Sequence, residues 1–204
     1  MLQKLSTSDP RAAISAVAGL GGTARTSEIL AAGAHPRALY AARDSGALIE
    51  VSRGVYRLAE LPLTEPDLLA VATRMPRAVL GLISALHLLG LTTEIPRAVH
   101  VLLPRGTRAA RLAWPPLEVY HVSAGALVVG VDERLVDGVQ LRVTNAARTV
   151  ADAFKFRSRL GLDVAVGALK DALAQRVATP AEIDRMAALC RVQQVIRPYL
   201  EALG

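Results

Sequence analysis

Residues 35–58 read HPRALYAARDSGALIEVSRGVYRL, and this stretch decides the fold of the first third of the chain. His35-Pro36 opens a helix, because proline's fixed φ suits a first helical turn and its missing N–H costs nothing there. The helix runs to about Ser45, and Gly46 closes it. Leu48–Val51 and Val55–Leu58 are short strand-like runs joined by Ser52-Arg53-Gly54, the pattern of a hairpin. On the helix, Leu39 and Ala42 share one side. Arg37, Tyr40, Ala41 and Asp44 fall on the other, and Arg43 flanks the apolar face.

Upstream, Asp9-Pro10 starts a helix in which Ile14, Val17, Ala18 and Leu20 recur at roughly helical spacing. Gly19, Gly21 and Gly22 end it. Thr26 or Ser27 caps a second helix carrying Ile29 and Leu30, and Gly33 lets the chain turn sharply into the third. Three short helices followed by a hairpin is the order of a winged helix-turn-helix. Its expected core is Leu20, Ile29, Leu30, Leu39, Leu48 and Val55.

That module implies a division of labour. A helix fits the major groove of duplex DNA and reads it with its N-terminal residues, so His35, Arg37 and Tyr40, with Arg43 beside them, are candidate contacts. Arg53 at the hairpin tip and Arg57 on the wing are candidates for an adjacent groove or backbone. Arg25, Thr26 and Ser27 stand at the start of the second helix, where N–H groups and hydroxyls suit a phosphate. The plainer reading of each arginine is a solvated surface charge, and Asp44 and Glu50 weaken the field. Residues 1–60 hold seven basic and five acidic side chains, only +2, so a protein-interaction module stays open.

The chain of 204 residues has 52% hydrophobic and 21% charged side chains, which predicts a packed core rather than long disorder. Aromatic content is only 3%, which argues against a base-stacking binder of single strands. The net charge is +6 and the pI about 10.1, a surplus that attracts polyanions. Cys190 is the only cysteine, so an intrachain disulfide and a thiolate metal cluster are excluded. Met1–Pro10 lacks the pattern of a signal peptide, and the longest apolar run, Ala78–Leu91, is too short for a membrane span. A cytoplasmic protein is expected.

Leu61–Pro66, with two prolines, reads as a connector to a second domain over residues 61–204. A helix is expected from Asp67 to Met75, ended by Pro76, then a buried helix over Ala78–Leu91. Ala98–Leu103, Leu117–Val122, Leu127–Val131 and Val139–Val143 suggest a small sheet. Asn145–Phe154, Val164–Arg176 and Pro180–Leu203 read as helices. The expected class is therefore α+β: a winged helix-turn-helix over residues 1–60 followed by a mixed α/β domain.

Catalytic chemistry finds little support. His100 and His121 lie on expected strands but lack a third ligand at metal-binding spacing. Ser84 and His87 share a helix face without an acidic orienter or oxyanion site. Gly19-Leu20-Gly21-Gly22 lacks the Gly-Lys-Ser/Thr of a phosphate loop. Asp132, Glu133 and Asp137 form an acidic loop patch without the strand-borne Glu-x-Lys a nuclease wants. Cys190 reads as a buried structural thiol. No enzyme, cofactor or metal is expected. Two basic clusters remain, Arg105, Arg108 and Arg111 in a loop and Lys155, Arg157 and Arg159 after Phe154. They suit DNA backbone, an acidic protein partner or plain solvated loops.

The run Gly22-Thr23-Ala24-Arg25-Thr26-Ser27-Glu28-Ile29-Leu30, then Gly33, then Leu48 to Tyr56 with its Arg53-Gly54-Val55-Tyr56, resembles the N-terminal domain of AbiEi-type antitoxins. Further along, Ser84-Ala85-Leu86-His87-Leu88-Leu89-Gly90-Leu91 with Pro96 resembles that family's buried helix, and Val99–Pro104 its following strand. Thr144-Asn145-Ala146-Ala147-Arg148-Thr149-Val150-Ala151-Asp152 resembles its Thr-x-x-x-Arg-Thr-(apolar)-x-Asp segment. The resemblance covers most of the chain in order. It implies an antitoxin of a type IV toxin–antitoxin system that represses its own operon, binding operator DNA through the winged helix, with self-association on DNA an open point. It also implies a second domain that counters a nucleotidyltransferase-like toxin. A related architecture carries a Vsr-like endonuclease domain, which has no counterpart in these 204 residues, so nuclease activity is not expected.

Overall fold

The computed structural model describes residues 8–62 and 64–203, and of Ser52 only the backbone. The class is α+β, with two sheets and several helices. The chain divides into two compact units. One runs through Leu69 and includes Leu135–Gln140; the other comprises Ala70–Arg134 and the chain from Leu141 on.

The first unit opens with α1, Pro10–Gly19, capped by the Asp9 carboxylate, which accepts from Arg11 N at 3.0 Å. A strand β1, Thr23–Arg25, leads into α2, Thr26–Ala31, and then α3, Pro36–Asp44. The hairpin is β2, Leu48–Ser52, and β3, Val55–Leu58. The three strands lie in the order β1-β3-β2, both pairings antiparallel. Three residues with one buried side chain carry too little alternation to announce β1 in the sequence, yet it makes β3 a central strand.

The core of this unit is built of small residues. Ala13, Val17, Ala24, Ile29, Ala34, Ala38, Leu39, Ala42, Leu48, Tyr56 and Leu58 are buried together. Ile29, Leu39 and Leu48 are where the periodicity puts them. Leu30 and Val55 are half-buried and Leu20 is 43% exposed, because the helix ends at Gly19 and releases it.

In the second unit α4 is Pro66–Arg74, its first turn belonging to the first unit. The apolar run expected as one helix begins instead as a strand, β4, Val79–Leu80, followed by α5, Leu82–Leu88. Its strand part is buried on both faces, so alternation cannot reveal it. Next come β5, Val99–Pro104, and β6, Leu117–Val122, in parallel register from Val99–Leu117 to Pro104–Val122. The expected strand over Leu127–Val131 is a correction: a 3₁₀ turn, Ala124–Leu127, occupies its start. Val128 and Val129 are exposed there, and the strand β7 runs Val131–Val136. β8 is Val139–Thr144, and the sheet order is β6-β5-β4-β8-β7.

The remaining helices are α6 (Ala146–Lys155), α7 (Arg157–Leu160), α8 (Leu162–Ala174), α9 (Pro180–Cys190) and α10 (Gln193–Leu203). The single helix expected over Pro180–Leu203 is two, because Arg191 adopts the left-handed conformation at φ 60° and ends α9 without a glycine. α6 is central, with Val150, Ala151, Ala153 and Phe154 at 0% exposure. Among the described residues no helix is long and apolar enough to cross a membrane.

The motif Thr144–Asp152 is a buried polar lock. Asn145 caps α6 by accepting from Arg148 N at 3.0 Å, and the Thr144 and Thr149 hydroxyls meet at 2.7 Å. Arg148 Nε binds Asp152 Oδ2 at 2.9 Å and its Nη1 donates to Val129 O at 2.9 Å. Gly130, at φ 67°, permits that approach, since a Cβ there would lie 2.8 Å from Arg148 Cβ. Cys190 Sγ donates to Asp152 Oδ1 at 3.2 Å. Burial, then the charge of Asp152, pushes the thiol up to about 12. At pH 8 the native chain is therefore expected to resist iodoacetamide and to react only as it unfolds. Because the folded value lies above the ordinary 9.0, this stabilisation is complete below about pH 9 and is lost as pH climbs toward 12. Fast alkylation of native chain at pH 8 would contradict the assignment.

Candidate nucleic-acid interface

The third helix presents two different faces. Ala38, Leu39 and Ala42 are at most 1% exposed and pack into the first unit's core. Arg37, Tyr40 and Arg43 are exposed on the outside. His35 sits at the N-cap, where its Nδ1 accepts from Arg37 N at 3.1 Å. One ring nitrogen is thereby committed to the helix, which leaves Nε2 as the atom that can meet a ligand.

The charges on this face are unequal. Arg37 enters none of the ion pairs among the described residues. Arg43 is held by Asp44, with Nε and Nη2 at 2.9 and 2.8 Å from Oδ1, and its guanidinium lies 5.1 Å from the Tyr40 ring centroid. The Asp44 hydrogen bond and charge raise the Arg43 pKa further. Arg43 thus brings a neutralised pair to the surface, and Arg37 a free cation.

The hairpin tip is fixed to the start of α2. Thr26 N and Thr26 Oγ1 both donate to Gly54 O, at 2.8 and 3.1 Å, and Glu50 Oε1 accepts from Gly54 N at 2.8 Å. Gly54 holds φ at 71°, which glycine adopts without strain. Arg53 is left exposed at the tip of an anchored turn. Thr26 is consequently a structural residue whose hydroxyl proton is already given. Arg25 and Ser27 are exposed, but Glu28 accepts from Arg25 N at 2.7 Å and places a carboxylate where a phosphate was expected. Arg25 and Arg53 line one groove of about 400 Å³ together with Glu28.

Arg57 needs correcting. It is 4% exposed, and Nη2 donates to Leu61 O at 2.5 Å and to Pro62 O at 3.1 Å. With β1 on one side and β2 on the other, β3 has no open edge, and Arg57 serves to tie down the chain that follows. Its neighbour Tyr56 is also buried, and burial first, then Glu50, raises its phenol pKa. Arg57 therefore leaves the set of candidate DNA contacts.

In the second unit the two basic clusters are regrouped. Arg108 and Arg111 stay exposed in their loop. Arg157 Nη1 donates to Phe154 O at 2.9 Å, and Arg159 pairs with Glu118 at 2.9 Å while lying 4.2 Å from the Tyr120 ring centroid. Arg105 and Lys155, one from each cluster, line a common cleft with Arg191, which no local pattern singles out. His100 and His121 do not meet. His100 pairs in register with Glu118 and is buried against Tyr120, and burial lowers its pKa. His121 is exposed and bonded to Thr107 O at 2.9 Å. Ser84 Oγ accepts from His100 N at 2.9 Å, and His87 Nδ1 is 3.2 Å from Glu94 O, so this pair is structural.

A search of curated proteins finds no match. Among solved structures, the RV2827C protein from Mycobacterium tuberculosis resembles this chain with a TM-score of 0.50 at 15% identity. The match covers 91% of this chain and 72% of that one, and the likeness is one of fold. Residues 12–59, which hold α1 to β3 nearly entire, match the family model described as a transcriptional regulator, AbiEi antitoxin.

Proposed function

We propose that the first unit is a winged helix-turn-helix that docks α3 in the major groove of operator DNA. The chain then acts as a cytoplasmic, non-enzymatic autorepressor and antitoxin, its second unit countering a nucleotidyltransferase-like toxin. The observation carrying this reading is the outer face of α3, where Arg37 is an exposed cation on a helix whose other face is locked into the core. The family match of residues 12–59 supports a regulator role in general.

The electrostatics set a modest scale. Arg25, Arg37 and Arg53 are the candidate contacts that are exposed and outside the ion pairs of the described residues, and three neutralised phosphates give a log–log salt slope of roughly −2.7 per chain. Raising salt from about 50 to about 200 mM should then weaken binding roughly 40-fold. The test is a gel shift on the DNA immediately upstream of the gene, against random duplex. Arg37→Ala is expected to cost about 1–3 kcal/mol on the operator and much less on random DNA. An equal loss on both would assign Arg37 to the backbone. Salt-independent or absent binding to both would favour the protein-interaction reading, to which the neutralised Arg43 and buried Arg57 already lend some weight.

A further inference from the structure

The second unit contains a cleft of about 710 Å³ formed by the end of β6, the 3₁₀ turn and the C-terminal ends of α6 and α9. Its wall carries three exposed cations, Arg105, Lys155 and Arg191, beside apolar surface from Phe156 and Leu189, with the Lys155 ammonium 5.6 Å from the Phe156 ring centroid. Among the described residues, no carboxylate lines it. None of the ion pairs among the described residues involves any of the three. Arg148 lies in the lining as well, but its charge is already matched by Asp152.

Helix ends account for only part of this charge. Lys155 closes α6 and Arg191 caps α9, and each C-terminus carries roughly half a negative elementary charge. Three cations against about one such charge leave the cleft positive by about two. Arg191 is also held at φ 60° and ψ 38°, a conformation in which glycine is the low-cost residue.

We propose that this cleft binds a phosphorylated small molecule of nucleotide size, its phosphates on Arg105, Lys155 and Arg191 and its planar part against Phe156 and Leu189. The volume lies in the range of small-molecule sites, and a mixed cationic and apolar wall suits a ligand with one anionic end. A duplex backbone is anionic along its whole length and would leave the apolar wall unused. The second unit is on this reading the part of the regulator that senses a metabolite.

Calorimetry on the full chain tests the proposal, with ATP as the probe and adenosine and inorganic triphosphate as controls. ATP is expected to bind saturably, triphosphate more weakly and adenosine at least tenfold more weakly. Lys155→Met and Arg191→Gly should each lower ATP affinity at least tenfold. Arg191→Gly should at the same time raise Tm, because glycine relaxes the left-handed residue, so lost binding cannot be blamed on lost folding. Absence of saturable ATP binding overturns the proposal, as does ATP affinity unchanged in both variants. So does a chain in which these variants weaken duplex DNA alone, since the cleft would then be a backbone contact. Operator binding through α3 is a separate measurement and stands or falls independently.

Discussion

Asp152→Ala is expected to destabilise the second unit by about 3–5 kcal/mol, because it leaves a buried guanidinium without its counter-charge. Arg148 and Asp152 are 2% and 1% exposed and meet at 2.9 Å one helical turn apart. The Val129 carbonyl takes one further Arg148 donor, and it cannot neutralise a charge. Removing both charges is a different experiment. The double variant Arg148→Met with Asp152→Leu fills similar volume without an ion to desolvate, and should be as stable as the parent or more so. Urea unfolding of the parent, the single and the double variant separates the cases. A cost below about 1 kcal/mol for Asp152→Ala would mean that water reaches Arg148 and the lock is not closed. A second readout comes from Cys190, whose raised pKa owes part of its shift to Asp152, so alkylation of this thiol should quicken in the single variant.

The same motif shows what sequence can and cannot disclose. Asn145, Pro36, Pro180 and Gly46 act locally, through a cap hydrogen bond or a fixed φ, and the helices they bound are legible one residue at a time. β6 was legible end to end, since its β-branched and aromatic residues stand between a proline pair and a serine. β4 and β1 were not: one is buried on both faces and the other is three residues long, and neither shows a period. Missing β1 had a consequence for the site. With only a hairpin in view, Arg57 belongs to an open wing; with β1 paired to β3 it belongs to the interior. The two basic clusters were visible as composition, but which cations share a wall depends on tertiary placement. Arg105 and Lys155 meet Arg191 across eighty-six and thirty-six positions of chain, and no local pattern encodes that.

Leu39→Ala should weaken DNA binding severely without touching a DNA-facing atom. Leu39 is 1% exposed on the inner side of α3, between Ala38 and Ala42, which are too small to refill the space. A Leu→Ala cavity costs about 2–5 kcal/mol, more where the surroundings cannot collapse. Natural domains hold about 0.05–0.15 kcal/mol per residue, so a unit of this size has roughly 3–10 kcal/mol in total. The substitution consumes much of that. Hydrogen exchange should show the amides of α1, α3 and β3 losing protection together while those of α6 and α8 keep theirs. Excess operator DNA should restore part of the lost protection, because a ligand that binds only the folded form stabilises it by mass action. Arg37→Ala must behave in the opposite way, with affinity lost and protection intact. If Leu39→Ala instead lost affinity with every amide still protected, α3 would be acting through its orientation alone. The small alanine-rich core would then be more forgiving than its packing implies.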